Sequence, residues 1–197
     1  MPRNRRRRFN FSRCNINSPQ KRGVSRILKS AGVKKLVILA LLLSVGVVLH
    51  AAEQWLIPPL PVPGGKLGIA NAVTLAALLL MGGKETFAIC VMRIFLGSFL
   101  GGTFLSSGFF LSLSGGLLSF SVMVLIYYAS RKKANVILIS IAGALAHNIG
   151  QLSAAVLIMK SSALFYYLPF LLLLAVPAGA GIGLLMKYLV PYLRRIQ

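Results

Sequence analysis

Beyond residue 35 the 197-residue chain is a succession of apolar runs separated by short breaks that are polar or rich in glycine and proline. Crossing a hydrocarbon core of roughly 30 Å takes about 20 helical residues. Against that length the runs at 36–57, 67–82, 86 to about 100, about 108–129, 134–159 and 163–190 predict six transmembrane helices. The first ends at Pro58 and Pro59, and the second is short and carries Asn71 and Thr74. The alternation of apolar and polar residues that marks a membrane β-strand is missing, so the predicted class is all-α, a polytopic membrane bundle.

Two breaks are unusual. Residues 57–66 read IPPLPVPGGK, with four prolines and two glycines, which predicts a stiff extended connection rather than helix. Residues 101–108 read GGTFLSSG and carry no charge. Loop backbone exposed to lipid is costly, so this segment either folds back against protein and lines a cavity or forms a tight hairpin at the interface.

Composition agrees with the membrane reading and adds an orientation. Hydrophobic residues make up 57% of the chain and charged residues 12%, with 22 Lys+Arg against two Glu and no Asp. A soluble domain carries about a quarter charged residues of both signs, so a soluble nucleic-acid binder is excluded despite the net charge of +20. Residues 1–35 hold 12 of the bases, including the run Arg5, Arg6, Arg7 and Arg8, and predict a disordered tail ahead of a transmembrane domain at 36–197. Such a tail either binds anionic lipid or RNA or serves as a positive-inside topology signal. The topology reading is preferred, with no nucleic acid as a partner. With six helices and a cytoplasmic tail, 19 of the 22 bases lie inside, Lys66 and Lys160 lie outside, and Arg93 falls within helix three. An odd number of helices would put the tail or the C-terminal bases outside, so both termini are expected in the cytoplasm. A secretory signal peptide is disfavoured, because the first apolar stretch is too long and lacks a small-residue cleavage site.

The same composition removes much chemistry. Metal-dependent diphosphate reactions gather carboxylates around the ion, and Glu53 and Glu85 are the whole acidic complement. Cys14 and Cys90 lie in different environments and read as free thiols. Walker A, GxSxG, HExxH and CxxC patterns are absent, so no catalytic residue, metal or cofactor is expected.

What remains is polarity where polarity is expensive, about 2.5–3.5 kcal/mol for an ionised side chain at the centre of a span. Arg93 must pair with a carboxylate, for which Glu53 is the candidate, bind an anionic ligand, or reach for the cytoplasmic interface. His50 and Glu53 share one face at the end of helix one, beside Trp55, and form either an outer polar rim or an interface anchor. In helix five, AHNIGQ places His147, Asn148 and Gln151 mid-membrane, either as interhelical glue at ~0.6 kcal/mol per bond or as a binding site. Small residues at Ala142, Ala146 and Gly150, at Gly97 and Gly101, and at Gly179, Gly181 and Gly183 permit close helix packing, within the bundle or against a partner.

The stretches IPPLPVPGGKLGIANAVTLAALLLMG (57–82), MRIFLGSFLGGTFLSSGFFLSLSGGLLS (92–119) and GALAHNIGQL (143–152) resemble the Gx transporter family of bacterial membrane proteins, often labelled heptaprenyl diphosphate synthase component I. That family is similar in turn to the S components of energy-coupling-factor transporters. The resemblance implies an S-component-like bundle in the bacterial cytoplasmic membrane, capturing a small solute from outside and docking on a T subunit with two ATPases. The implied pocket draws on Glu53, Lys66 and Asn71, on Arg93 and 103–107 with Ser106, and on His147, Asn148 and Gln151, closed by residues 58–66. Helix one departs from the S-component pattern, since Ala40 and Ser44 give one weak copy of the small-residue docking face. The synthase label implies another role, a noncatalytic membrane subunit beside a prenyl diphosphate synthase catalytic subunit, because a chain without Asp lacks the aspartate-rich motifs of those catalysts. A third reading is a scaffold in which the polar groups only join helices.

Overall fold

The computed structural model describes residues 19–56, 68–131 and 134–196. Of the tail expected to be disordered at 1–35, residues 1–18 fall outside the described residues, as does the proline-rich connection at 57–66 with its closure over a pocket, whereas residues 19–35 are helical and continue into the first span. The described chain is α-helical throughout: α1 (Pro19–Leu56), α2 (Asn71–Met81), α3 (Gly83–Leu100), α4 (Ser107–Ala129), α5 (Val136–Met159) and α6 (Leu168–Ile196), with a 3-10 segment Ser162–Tyr167 before α6. Four stretches, Gly32–Glu53, Ser107–Ala129, Val136–Met159 and Ser162–Arg195, are long and apolar enough to cross a membrane. The protein is a multi-pass membrane protein.

The other two helices depart from a uniform span. The 18 residues of α3 reach about 27 Å at a rise of about 1.5 Å per residue. The 11 residues of α2 reach about 16 Å, half a bilayer. The apolar run at 67–82 overshoots α2 because Gly68 takes φ +77°, a conformation open to glycine and awkward for other residues. Asn71, Ala72 and Val73 then donate their N–H groups to the carbonyls of Gly68, Ile69 and Ala70. This turn starts the helix at mid-depth. The residues of α2 from Asn71 to Leu79 are all buried, and α2 touches each of the other five helices. A short helix that satisfies its own backbone and is sheathed on all sides is tolerable at membrane depth.

The sixth run also starts late. Lys160 ends α5 in the left-handed conformation, and the 3-10 segment intervenes before α6.

Bases gather at one end of the bundle. Lys35 of α1 pairs with Glu85 in the first turn of α3. Gly83 N–H donates to the Tyr128 hydroxyl at the end of α4, and Arg194 of α6 donates to the Leu79 carbonyl near the end of α2 at 2.8 Å. Glu85 precedes the apolar part of α3, and the hydrogen bond from Lys35 holds its carboxyl below the ordinary carboxylate range. Any stability from the pair is therefore present above the unfolded carboxylate pKa and lost as pH falls through the lowered folded value. It is small, because Lys35 is half exposed.

At the opposite end, GGTFLSSG is a tight hairpin. Gly102 at φ +66° closes α3, with Gly102 N–H bonded to Phe99 O and Thr103 N–H to Ser98 O at 2.9 Å. This is a Schellman cap. Ser106 N–H to Thr103 O and Phe109 N–H to Ser106 O continue the internal bonding, which lowers the cost of an uncharged loop in lipid. Phe95, Phe99, Phe104 and Phe109 form a chain of tilted ring contacts around it.

Small residues do their packing inside the chain. A Cβ on Gly150 would stand 2.8 Å from the Ser114 carbonyl oxygen of α4, and Cβ atoms on Gly179 and Gly183 would meet Ile141 Cα and Ile137 Cα of α5 at 2.8 and 2.7 Å. Gly181 faces open space.

Candidate functional site

Four helices, α1, α2, α3 and α5, bring polar groups to the place where α2 begins, and α4 lines it with a glycine. Arg93, the tenth residue after Gly83, lies about 15 Å along α3 and is only 2% exposed. Its aliphatic stem lies 3.5 Å from the Cβ position of Gly46 on α1, so that glycine makes room for it. The guanidinium Nη2 donates to Asn71 Oδ1 at 2.7 Å. Glu53 Oε1 accepts from Ile69 N–H at 2.7 Å in the turn before α2. The carboxylate thus stands at the positive end of the α2 dipole. The Arg93–Glu53 bridge anticipated as the structural alternative is replaced by these two bonds, an arginine to a neutral amide and a glutamate to a backbone N–H.

From α5, His147 and Gln151 enter the same region. They are one turn apart and face the same way, with Gln151 Nε2 and His147 Nε2 2.9 Å from each other. Gly115 of α4 lies against both, since its Cβ would fall 2.7 Å from Gln151 Cγ and 3.0 Å from His147 Cε1. On the other side Gly68 lies against His147 and Asn71, with Cβ distances of 2.8 Å to His147 Cδ2 and 3.3 Å to Asn71 Nδ2. A chain of neighbours therefore runs from Gln151 through His147, Gly68 and Asn71 to Arg93. Two donors in it, Arg93 Nε and Asn71 Nδ2, are buried with no hydrogen-bond acceptor among the described residues.

The family model described as heptaprenyl diphosphate synthase component I matches residues 42–189. The chain belongs to that family. The matched range includes every residue of the cluster and leaves the basic tail outside. Comparison with curated proteins and with solved structures gave no match.

Of the residues singled out in this component I sequence, Glu53, Asn71, Arg93, His147 and Gln151 come together, and Ser106 and Asn148 do not. Ser106 Oγ donates to Thr103 O at 2.6 Å and builds the hairpin turn. Asn148 is a residue away from His147, about 100° around the helix, and its Nδ2 donates to Leu171 O of α6 at 2.8 Å. It joins α5 to α6. His50 packs on Gly97 of α3 with Ser98 Oγ 3.4 Å from its Nε2.

Sequence reading missed Gly68 and Gly115 as walls of the cluster and undervalued Thr74, which is fully buried. Thr74 is three residues from Asn71, hence on its face. The Gly115–Gly116 pair inside an apolar helix was a readable signal, because each glycine there costs about 1 kcal/mol of helix propensity and needs a packing reason.

Gly68→Ala is expected to disturb this region selectively. The left-handed backbone costs an alanine about 1–2 kcal/mol, and the new methyl would meet the His147 ring. A lowered thermal midpoint in detergent, together with shifted His147 ring resonances, is the expected result; unchanged resonances would remove Gly68 from the site.

Proposed function

We propose that this component I protein binds a small solute bearing an anionic group, and that Arg93 and Asn71 are its principal contacts. The observation that carries the reading is the pair of buried donors, Arg93 Nε and Asn71 Nδ2, that lack acceptors among the described residues. Unsatisfied donors deep in a bundle cost about 1–3 kcal/mol each, and an acceptor-rich ligand would satisfy both. The half-length α2 supports the same reading. Transporters often place substrates where a discontinuous helix begins near the bilayer midplane.

In this proposal the basic end faces the cytoplasm of a bacterial inner membrane, and the solute enters from the opposite side. His147 and Gln151 set its orientation, and Glu53 keeps the turn before α2 in place. The chain carries no energy-coupling motif, so reorientation is assigned to partner subunits such as a T subunit with ATPases. The family description supports a second reading, a noncatalytic membrane subunit associated with a heptaprenyl diphosphate synthase catalytic subunit, in which the same donors hold a lipid headgroup.

Access separates the two. Ile69 is 37% exposed beside the cluster, so Ile69→Cys in a background lacking Cys14 and Cys90 reports on it. Solute entry predicts labelling by a membrane-impermeant thiol reagent added from the side opposite the basic end. Labelling only by a lipid-dissolved reagent would favour the lipid reading instead.

A further inference from the structure

A separate feature lies at the basic end, about half a bilayer from the Arg93 cluster. A cavity of about 270 Å³ is lined by Lys34, Lys35 and Ile38 of α1 and by Leu80 and Met81 at the end of α2. Two lysines and three apolar side chains share the lining. Lys35 is committed to Glu85, whereas Lys34 makes no ion pair among the described residues. Arg194 is bonded to the carbonyl of Leu79, the residue before the lining Leu80, and the two lysines of the lining outnumber Glu85.

We propose that this cavity is a binding site for the phosphate headgroup of an anionic membrane lipid. Headgroup phosphate fits a pocket where Lys34 makes no ion pair among the described residues, and basic pockets between helices on the cytoplasmic side of a membrane take anionic lipid headgroups in this way. The choice of lipid over free phosphate comes from α1 itself. Ile38, Leu41 and Val45 follow Lys34 at four, seven and eleven residues, which aligns them on one helix face. Ile38 is half-buried in the cavity floor, and Leu41 and Val45 are 60% and 50% exposed. An acyl chain therefore has an apolar track leading from the cavity into the hydrocarbon region. Glu85 opposes the phosphate but is neutralised by Lys35. The site does not depend on the solute proposal, because it shares no residue with the Arg93 cluster.

Native mass spectrometry of the full chain in detergent tests it, with phosphatidic acid and phosphatidylcholine of matched acyl chains as probes. The wild type should retain phosphatidic acid preferentially. Lys34→Gln should weaken that retention about fivefold, the effect of one base near a charged membrane surface, while Lys187→Gln, an exposed base on α6, should leave it unchanged. Equal loss in both variants would reduce the effect to general attraction by a cationic chain and overturn the site. Displacement of the lipid by millimolar inorganic phosphate would overturn its assignment to a lipid. Lys34 is exposed, so its variant keeps the fold on which the comparison depends.

Discussion

Arg93→Met is expected to give a folded bundle that has lost its ligand. Two terms nearly cancel in the fold. Removing a charge from the centre of a span relieves about 2.5–3.5 kcal/mol of insertion cost, while leaving Asn71 Oδ1 without its donor costs about 1–3 kcal/mol. Methionine also fills much of the space of the arginine stem beside Gly46. Binding has no such compensation. Losing a buried hydrogen-bonded charge opposite an anionic group costs about 2–5 kcal/mol, at least a thirtyfold loss of affinity. Arg93→Lys should fall between, since an ammonium keeps the charge and loses the planar fork of donors. Thermal melting alongside ligand binding distinguishes this from helix glue, for which Arg93→Met would change stability and leave binding alone.

Gly150→Val is expected to produce the largest loss of stability. The new Cβ would stand 2.8 Å from Ser114 O, 2.9 Å from Gly115 Cα and 3.1 Å from Gly115 N. These are backbone atoms that cannot rotate aside, so α4 and α5 must separate. Overpacking of this kind costs about 1–3 kcal/mol or more. Separation would also strain the bond from Ser114 Oγ to Gly150 O, 2.8 Å long, and shift Gly115 away from Gln151 and His147. The site should therefore fail together with the fold. Gly181→Ala supplies the contrast: nothing lies within 4 Å of its Cβ position, and alanine gains about 1 kcal/mol of helix propensity. A detergent melt in which Gly150→Val matches the wild type would refute the close α4–α5 approach.

Much of the bundle was legible because hydrocarbon imposes one simple demand, long apolar runs with internal hydrogen bonds. The departures arise where backbone conformation overrides hydropathy. Leu67 and Gly68 extend an apolar run, yet the positive φ of Gly68 delays α2 to Asn71. Lys160 and the 3-10 segment delay α6 in the same way. Polar cost identified Arg93, Asn71, His147 and Gln151, because a buried polar side chain needs a reason wherever it lies. Cost does not name partners. Pairing Arg93 with Glu53 followed from charge alone, whereas the fold places a neutral amide on the guanidinium and a backbone N–H on the carboxylate. Asn148 illustrates the limit of clustering along sequence, since one residue of rotation turns it from the polar cluster to α6. Gly68 and Gly115 act through the side chain they lack, which is visible only when their neighbours are in place.

Gentle affinity purification of the wild type and of Arg93→Met from native membranes, followed by mass spectrometry of the bound small molecules, tests whether Arg93 holds a solute. A small anionic compound should accompany the wild type and be lost from the variant while both remain folded. An isoprenoid retained equally by both proteins would contradict that role.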